Sequence, residues 1–282
     1  FMMNCLYIHN QKGQFFETAN FSGVAATDWS CGALFFDADN DGLNDIYVCN
    51  GINHDVTNLD FMDFFANDVV QNMIISGQKQ SIDSVLSHIP IYRVPNKVYK
   101  NNGDLRFSDA SELWGFSEPS MSNGAAYGDL DNDGDLDLVI NNENQPAFVY
   151  KNNSREQNGN NYIGVQLQGR GNNRFAVGSK IKVYKGGQVY YREVVPSRGF
   201  QSSVDYKQVI GLGKQTAVDS LVITWPDRTV SKYINPALNK VHTIEQSEAS
   251  GPIAAAGQKS LSPLLAIEPA AVFEKHKEDE YI

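Results

Sequence analysis

The sequence has no long apolar stretch, no surplus of basic residues and few histidines. None of its windows approaches the run of about 18 apolar residues that crosses a lipid bilayer, so we predict no membrane-spanning segment. The 33 acidic residues outnumber the 23 basic ones, and an acidic chain binds phosphate backbones poorly, so no nucleic-acid partner is expected. The 5 histidines are scattered without the close spacing of a zinc site, which makes zinc an improbable ligand.

Cysteine is also scarce. Cys5, Cys31 and Cys49 cannot all pair with one another. Cys31 and Cys49 lie in apolar, strand-like runs, and we predict that both are small buried hydrophobic residues. A disulfide from Cys49 to either of the other two stays open, because spacing does not decide it. The first residues show no basic stretch followed by an apolar one, so they contain no signal peptide. We expect the chain to be an excerpt of a longer protein.

The net charge of −10 is concentrated in two short stretches. The first holds Asp37, Asp39, Asp41 and Asp45, and the second holds Asp129, Asp131, Asp133, Asp135 and Asp137. Outside these nine carboxylates, the remaining 24 acidic residues almost balance the 23 basic ones. The body of the protein is therefore nearly neutral, and its acidity belongs to two loops.

The same order of segments occurs twice, in residues 4–51 and 96–143. Each copy has a short alternating strand, an Asn/Gly turn, a strand with Phe, a strand of small residues, an acidic loop and a β-branched strand. Four short strands per repeat are typical of a propeller blade. We therefore predict an all-β fold in which residues 1–154 form partial β-propeller blades, with a third copy of the repeat beginning at 146–154.

Residues 52–95 interrupt the repeat, and we predict that they form a helical insertion. Apolar residues recur at helical spacing at Leu59, Met62, Phe65, Val69 and Met73, with Asn58 as a possible N-cap. A second helix is predicted over 81–90, between a Ser N-cap and a terminating Pro. Such an insertion can shape a binding face, or it can pack against the domain without any role in binding. Both alternatives stay open.

Each acidic loop has the pattern of a cation site. Carboxylates stand at positions 1, 3, 5 and 9 of both loops, and a glycine at position 6 supplies a sharp turn. Position 7 of such loops offers its backbone carbonyl, so Leu43 and Asp135 are interchangeable there. Because several carboxylates crowd together, a hard cation is needed, and Ca²⁺ tolerates irregular geometry better than Mg²⁺. We predict two Ca²⁺ sites, formed by Asp37, Asp39, Asp41, Leu43 and Asp45 and by Asp129, Asp131, Asp133, Asp135 and Asp137.

Three other interpretations of the loops explain the pattern less well. An EF-hand requires a bidentate Glu at position 12, where this sequence has Val48 and Ile140. A catalytic pair of carboxylates is the second alternative, but the twofold repetition with one spacing argues against it. Simple solvated acidic turns are the third. Calcium sites with a structural role explain the pattern best.

These residues give the first domain its family resemblance. The loops resemble the D-x-D-x-D-G-x-x-D motif of FG-GAP/VCBS repeat β-propellers, through Asp37 to Asp45 and Asp129 to Asp137. The resemblance implies that each loop joins two strands of a blade and that Ca²⁺ stiffens the turn.

A second resemblance covers residues 161–246. The segments 161–187, 197–213 and 218–228 resemble an ASPIC/UnbV domain, which follows such propellers in secreted proteins of the cartilage-acidic-protein type. Alternation at Val165 and Leu167 and at Ile181 and Val183 independently indicates strands, and no helix is evident. We predict a small β-sandwich over 155–246, a linker over 247–271 rich in Ala, Ser and Pro, and the start of a further module or a tail over 272–282.

The sequence favours binding over catalysis. Calcium concentrations outside cells fill loops of modest affinity, so we expect a secreted or cell-surface protein that binds an extracellular protein or glycan. No serine-nucleophile or metalloprotease motif is present, and we do not expect an enzyme. The alternatives are a carbohydrate-active enzyme or its accessory domain, and a structural spacer in a larger surface protein.

Overall fold

The computed structural model describes residues 3–10, 12–55, 67–77 and 91–246, together with Leu59, Phe61, Asp63 and Ile89. Strands make up 42% of the described residues and helices 9%, so the all-β prediction is confirmed. None of the described helices has the length and the apolar character that crossing a bilayer requires. The linker and tail predicted over 247–282 lie outside the described residues.

Two blade-like sheets form the centre of the first domain. A four-stranded antiparallel sheet has the order β3-β4-β6-β7, and a three-stranded one has the order β11-β10-β9. The pairs β1-β2 and β5-β8 are two-stranded. The elements are β1 (Tyr7–His9), β2 (Phe15–Glu17), α1 (Ala19–Ser22), β3 (Ser30–Phe36), β4 (Asp45–Asn50), α2 (Asn67–Ser76), β5 (Val94–Pro95), β6 (Lys97–Asn101), β7 (Phe107–Asp109), β8 (Pro119–Ser120), β9 (Ser122–Gly128), β10 (Asp137–Asn142) and β11 (Phe148–Tyr150).

The first strand of the four-stranded sheet corrects one prediction. Side chains of a strand alternate between its two faces, and in β3 the inward positions are Gly32, Leu34 and Phe36. Cys31 has the opposite parity and is exposed, so the prediction that it is buried was wrong. Cys49 on β4 is buried as predicted, and all three cysteines are free.

The insertion contains helix α2, Asn67–Ser76, which overlaps the first predicted helix. Leu59, the first residue of the predicted apolar pattern, is also helical. Ile74 and Ile75 on this helix are 76% and 83% exposed, so this end of the helix leaves its apolar side chains in solvent. Asn58, Met62 and Phe65 lie outside the described residues, as does most of the second predicted helix over 81–90.

The second domain is a sandwich of two sheets around one core. It contains α3 (Ser154–Asn158), β12 (Asn161–Gln168), β13 (Lys180–Lys185), β14 (Gln188–Glu193), β15 (Gln208–Gly213), β16 (Ser220–Thr224), β17 (Val230–Ile234) and β18 (Val241–Glu245). One sheet has the order β15-β12-β18 and the other has the order β14-β13-β16-β17. Side chains from these strands and from the connections between them form a single buried cluster of Ile163, Val165, Leu167, Ala176, Ile181, Val183, Val194, Ile210, Leu212, Val218, Leu221, Ile223, Trp225 and Ile244.

A buried polar network joins the two blade-like sheets. The Asn96 side chain is 2% exposed, and its oxygen accepts a hydrogen bond from the Asn50 backbone N–H at 2.8 Å. Its amide nitrogen donates to the hydroxyls of Ser120 at 3.2 Å and Ser122 at 2.9 Å. The Ser122 hydroxyl donates onward to Asn142 Oδ1 at 2.7 Å. One amide therefore connects strands of both sheets.

We expect Asn96→Ala to lower the free energy of unfolding by about 1–3 kcal/mol, because it leaves buried donors and acceptors without partners. Urea unfolding of both proteins measures the loss. Asn102→Ala is the control, since Asn102 is an exposed residue of the β6–β7 hairpin. Equal losses in the two variants would show that the network contributes nothing beyond an ordinary surface contact.

Candidate metal centres

The two acidic loops occupy equivalent places in the two sheets. The first loop joins β3 to β4, and the second joins β9 to β10. Position 4 is a left-handed Asn in both, with φ of 56° at Asn40 and 63° at Asn132. Position 6 is a left-handed Gly, with φ of 96° at Gly42 and 95° at Gly134. The repeated sequence therefore folds into one backbone conformation twice, between strands rather than between helices.

The structure brings six of the ten predicted ligands into two groups. Within each group, three carboxylate oxygens lie no more than 4.8 Å from one another. The first group is Asp37, Asp39 and Asp45, and the second is Asp129, Asp131 and Asp133. Each loop thus directs at least three oxygens toward a common point, which is what a hard cation requires.

The aspartates at position 9 also accept hydrogen bonds from backbone N–H groups of their own loop and of a neighbouring segment. The two oxygens of Asp45 accept hydrogen bonds from the backbone N–H groups of Ala38 and Asn101, at 2.9 and 2.8 Å. Asp137 accepts from Leu130 at 2.8 Å and from Asn152 at 2.9 Å in the same way. A carboxylate oxygen has a second lone pair, so these bonds leave each aspartate able to contact a cation.

The two loops differ at positions 5 and 7. Asp41 directs one oxygen to the Leu43 backbone N–H at 2.8 Å and the other to Lys100 Nζ at 3.0 Å. The Leu43 side chain is 41% exposed, whereas Asp135 is fully buried and belongs to a further acidic group with Asp133 and Glu156. The two positions therefore differ in where their side chains lie, and the backbone carbonyl that each offers to an ion stays a prediction.

Four basic residues face the loop carboxylates, and the sequence reasoning missed all of them. In the first loop, Lys100 contacts Asp39 and Asp41, and Arg192 Nη2 lies 3.6 Å from Asp37 Oδ2. The repeated text Tyr-Lys-Asn-Asn at 99–102 and 150–153 is a signal that could have identified Lys100, near the end of β6, and Lys151, directly after β11.

The second loop has the same arrangement of cations. Lys151 contacts Asp131 and lies 3.6 Å from Asp133 Oδ2, and Lys207 Nζ lies 3.1 Å from Asp129 Oδ2. Arg155 donates a hydrogen bond to the backbone carbonyl of Asp133. In each loop, therefore, one lysine neutralises positions 3 and 5 and a residue of the second domain faces position 1.

The protein's own cations leave an excess of negative charge in both loops. Four carboxylates face two cations in the first loop. In the second loop, five aspartates and Glu156 lie with Lys151, Lys207 and Arg155, whose contact is with the Asp133 backbone carbonyl. With all carboxylates ionised, each loop keeps at least two uncompensated negative charges, the charge of one divalent cation. Oδ1 of Asp37 and Oδ1 of Asp129 are buried without a hydrogen-bond partner. The residues present therefore fit a divalent metal ion in each loop.

Burial raises the pKa of several loop carboxylates in the metal-free protein. Removal from water raises the pKa of Asp37 to about 8 and the pKa of Asp45 to about 7. In the second loop, burial raises the pKa of Asp135 to about 7. Because a buried carboxylate without enough counter-charge retains its proton, protons and a metal ion compete for these oxygens.

Two protein-family models match the chain, in the predicted order. The FG-GAP-like repeat model matches residues 83–140, which include the second loop. The model described as ASPIC and UnbV matches residues 169–251, which include β13 to β18. No curated protein matches the chain. Both resemblances that the sequence suggested are confirmed. The first domain is similar to FG-GAP-like repeats, and the second is similar to ASPIC and UnbV domains.

We expect stabilisation by Ca²⁺ to grow with pH. The metal-free native state binds more protons than the unfolded chain, whose aspartates have a pKa near 3.8, so its stability falls as pH rises toward 8. A bound divalent cation keeps the same carboxylates ionised and removes this loss. The gain in Tm on adding CaCl₂ to the chelated protein should be larger at about pH 8 than at about pH 6. A gain that is equal or smaller at the higher pH would contradict the assignment.

Proposed function

We propose that each acidic loop binds one Ca²⁺ and that the ions stiffen the first domain of a secreted or cell-surface protein that binds or adheres to a ligand. The observation that carries the metal proposal is the duplication: two loops with one backbone conformation, each with at least two uncompensated negative charges. When bound, the ion neutralises this excess and cross-links the loop. Ca²⁺ is favoured over Mg²⁺ because these irregular loops combine carboxylate and backbone oxygens.

Extracellular location is supported by the same sites. Loops of this kind have modest affinity, and calcium is abundant enough to fill such modules outside cells. The FG-GAP-like repeat match is compatible with a surface protein. Secretion or display at the cell surface is therefore part of the proposal.

A cavity between the two blade-like sheets offers a place for a ligand. Its volume is about 610 Å³, within the range of small-ligand sites. Trp114, Phe116 and Tyr150 supply aromatic walls, and Asn153 and Gln157 supply amide groups. Flat aromatic surfaces beside hydrogen-bonding amides suit a saccharide ring, so we favour a glycan over a protein as the ligand of this cavity.

Binding is proposed rather than catalysis because the cavity lining lacks a free carboxylate pair. Glycoside hydrolysis uses two carboxyl groups that flank the scissile bond. The described residues that line the cavity include one acid, Asp39, and it is paired with Lys100. A spacer role would leave the cavity without a ligand, so glycan binding distinguishes the two remaining functions.

Calcium titration tests the metal proposal. We expect isothermal titration of the chelated protein to give two Ca²⁺ per chain, and Asp37→Asn or Asp129→Asn to reduce this to one, because each removes a buried ligand from one loop. Asp104→Asn is the control, since Asp104 lies in the exposed β6–β7 turn. Two ions bound in either loop variant, or none in the parent, would overturn the proposal.

Glycan binding tests the cavity. We expect the calcium-loaded protein to bind a subset of glycans on an array, and Trp114→Ala to abolish that binding by removing an aromatic wall. Tyr233→Ala, on the exposed face of the second domain, should leave it unchanged. If no glycan is bound, or if both variants bind equally well, the saccharide assignment fails.

A further inference from the structure

We infer that the second domain is part of both metal centres, so that metal binding by the loops and docking of the two domains form one linked equilibrium. This inference rests on the proposed binding of Ca²⁺ and goes beyond it, because it assigns a metal-dependent role to residues that ligate nothing. The contacts of each loop with the sandwich carry the argument.

Strand β14 covers the first loop with two side chains. Tyr190 and Arg192 are two residues apart and therefore lie on the same face of this strand. Arg192 Nη2 is 3.6 Å from Asp37 Oδ2, and the Asp37 side chain is 1% exposed. The Tyr190 ring lies over Gly42, where a Cβ would come within 2.6 Å of Cε1. The first loop is thus sealed by the second domain at positions 1 and 6.

The edge of strand β15 packs directly on the same loop. The Gly213 N–H donates to the Asn40 carbonyl at 2.8 Å. At Gly211 a Cβ would collide with Asp37 and with Asn40, whose Cα would be 2.5 Å away. An edge strand needs cover for its free backbone groups, and here the metal loop provides it. The conformation of the loop therefore decides whether this edge is protected.

The second loop repeats the arrangement with different residues. Lys207 Nζ is 3.1 Å from Asp129 Oδ2, and it donates to the Asp129 carbonyl at 2.9 Å and to Asn132 Oδ1 at 3.0 Å. The Tyr162 ring of β12 covers Gly134 so closely that a side chain there would overlap it. In both loops, one cation of the sandwich faces position 1 and one tyrosine covers position 6.

The loops also contact each other. Asn40 Nδ2 donates to the Gly134 carbonyl at 2.8 Å. Asn152, which follows β11, also bridges them, because its Nδ2 donates to the Ala38 carbonyl at 2.7 Å and to the Leu136 carbonyl at 3.1 Å. The two loops and the sandwich consequently form one junction of three parts. A change of conformation in either loop must disturb the other two parts.

The linkage has a definite direction. Without metal, the excess charge drives the carboxylates apart and pulls the loops away from the conformation that fits the sandwich. Arg192 and Lys207 lower this repulsion when the domains are docked, so docking favours the loop geometry that holds the metal. Coupling between two binding events is reciprocal, and the metal must therefore favour docking to the same extent.

Hydrogen exchange measured by mass spectrometry, with CaCl₂ and with EDTA, tests the inference on the whole chain. We expect chelation to accelerate exchange in peptides from β15 by at least about fivefold, the lower range of coupling between linked sites, although β15 contributes no predicted ligand. Peptides from β17, which lies at the far edge of the other sheet, serve as the internal control and should not change. Acceleration confined to the two loops overturns the inference and leaves calcium binding intact. No change anywhere overturns both.

Variants of the two cations provide a second test. Because docking favours the loop geometry that holds the metal, Arg192→Met weakens docking and with it the affinity of the first loop for Ca²⁺. The difference between the Tm values in CaCl₂ and in EDTA should therefore narrow relative to the parent protein, and Arg192→Lys should restore it. Lys207→Met tests the second loop independently if Arg192→Met does not fold. Lys232→Met, on an exposed site of β17, is the control. An equal loss of Tm in both conditions would identify Arg192 as an ordinary packing residue and overturn the inference.

Discussion

Repulsion between carboxylates that are held close together and away from water is the constraint on which the rest of this structure depends. Four or five aspartates crowd into each loop, and the nearby basic residues neutralise only part of their charge. Strand pairing on both sides holds each loop in place, and backbone N–H groups satisfy the aspartates at position 9. The loops are therefore built to concentrate charge, and the fold needs a counter-charge to keep them closed.

The same constraint explains the small residues at the domain junction. Gly42 and Gly134 have left-handed backbones and also lie beneath tyrosine rings, and Gly211 lies against Asp37. A Cβ at any of these three positions would separate the loop from the sandwich. Glycine thus serves two purposes here. It allows the turn that brings the carboxylates together, and it allows the second domain to approach the loops closely. Metal geometry and domain packing restrict the same residues.

The sequence revealed the part of this arrangement that depends on local spacing. Alternate aspartates around a glycine identified both loops, and alternating apolar residues identified β12 and β13. The sequence could not reveal the tertiary contacts. Arg192 and Lys207 are far from the loops in sequence and contact them only because one domain packs on the other. Cys31 was misjudged because an apolar run does not tell which face of β3 is inward. The repeated Lys-Asn-Asn at the end of a strand was a readable signal for Lys100 and Lys151.

Those two lysines connect the proposed metal and ligand functions. Lys100 and Lys151 line the cavity between the sheets, and their amino groups are bound to loop carboxylates. A metal ion bound as proposed would compete with the lysine for the same oxygens and weaken the contact between the loop carboxylates and the ammonium group. The metal occupancy of the loops would then set the electrostatic character of the cavity. If the loops bind Ca²⁺ and the cavity binds a glycan, the two sites share charged residues and cannot act independently.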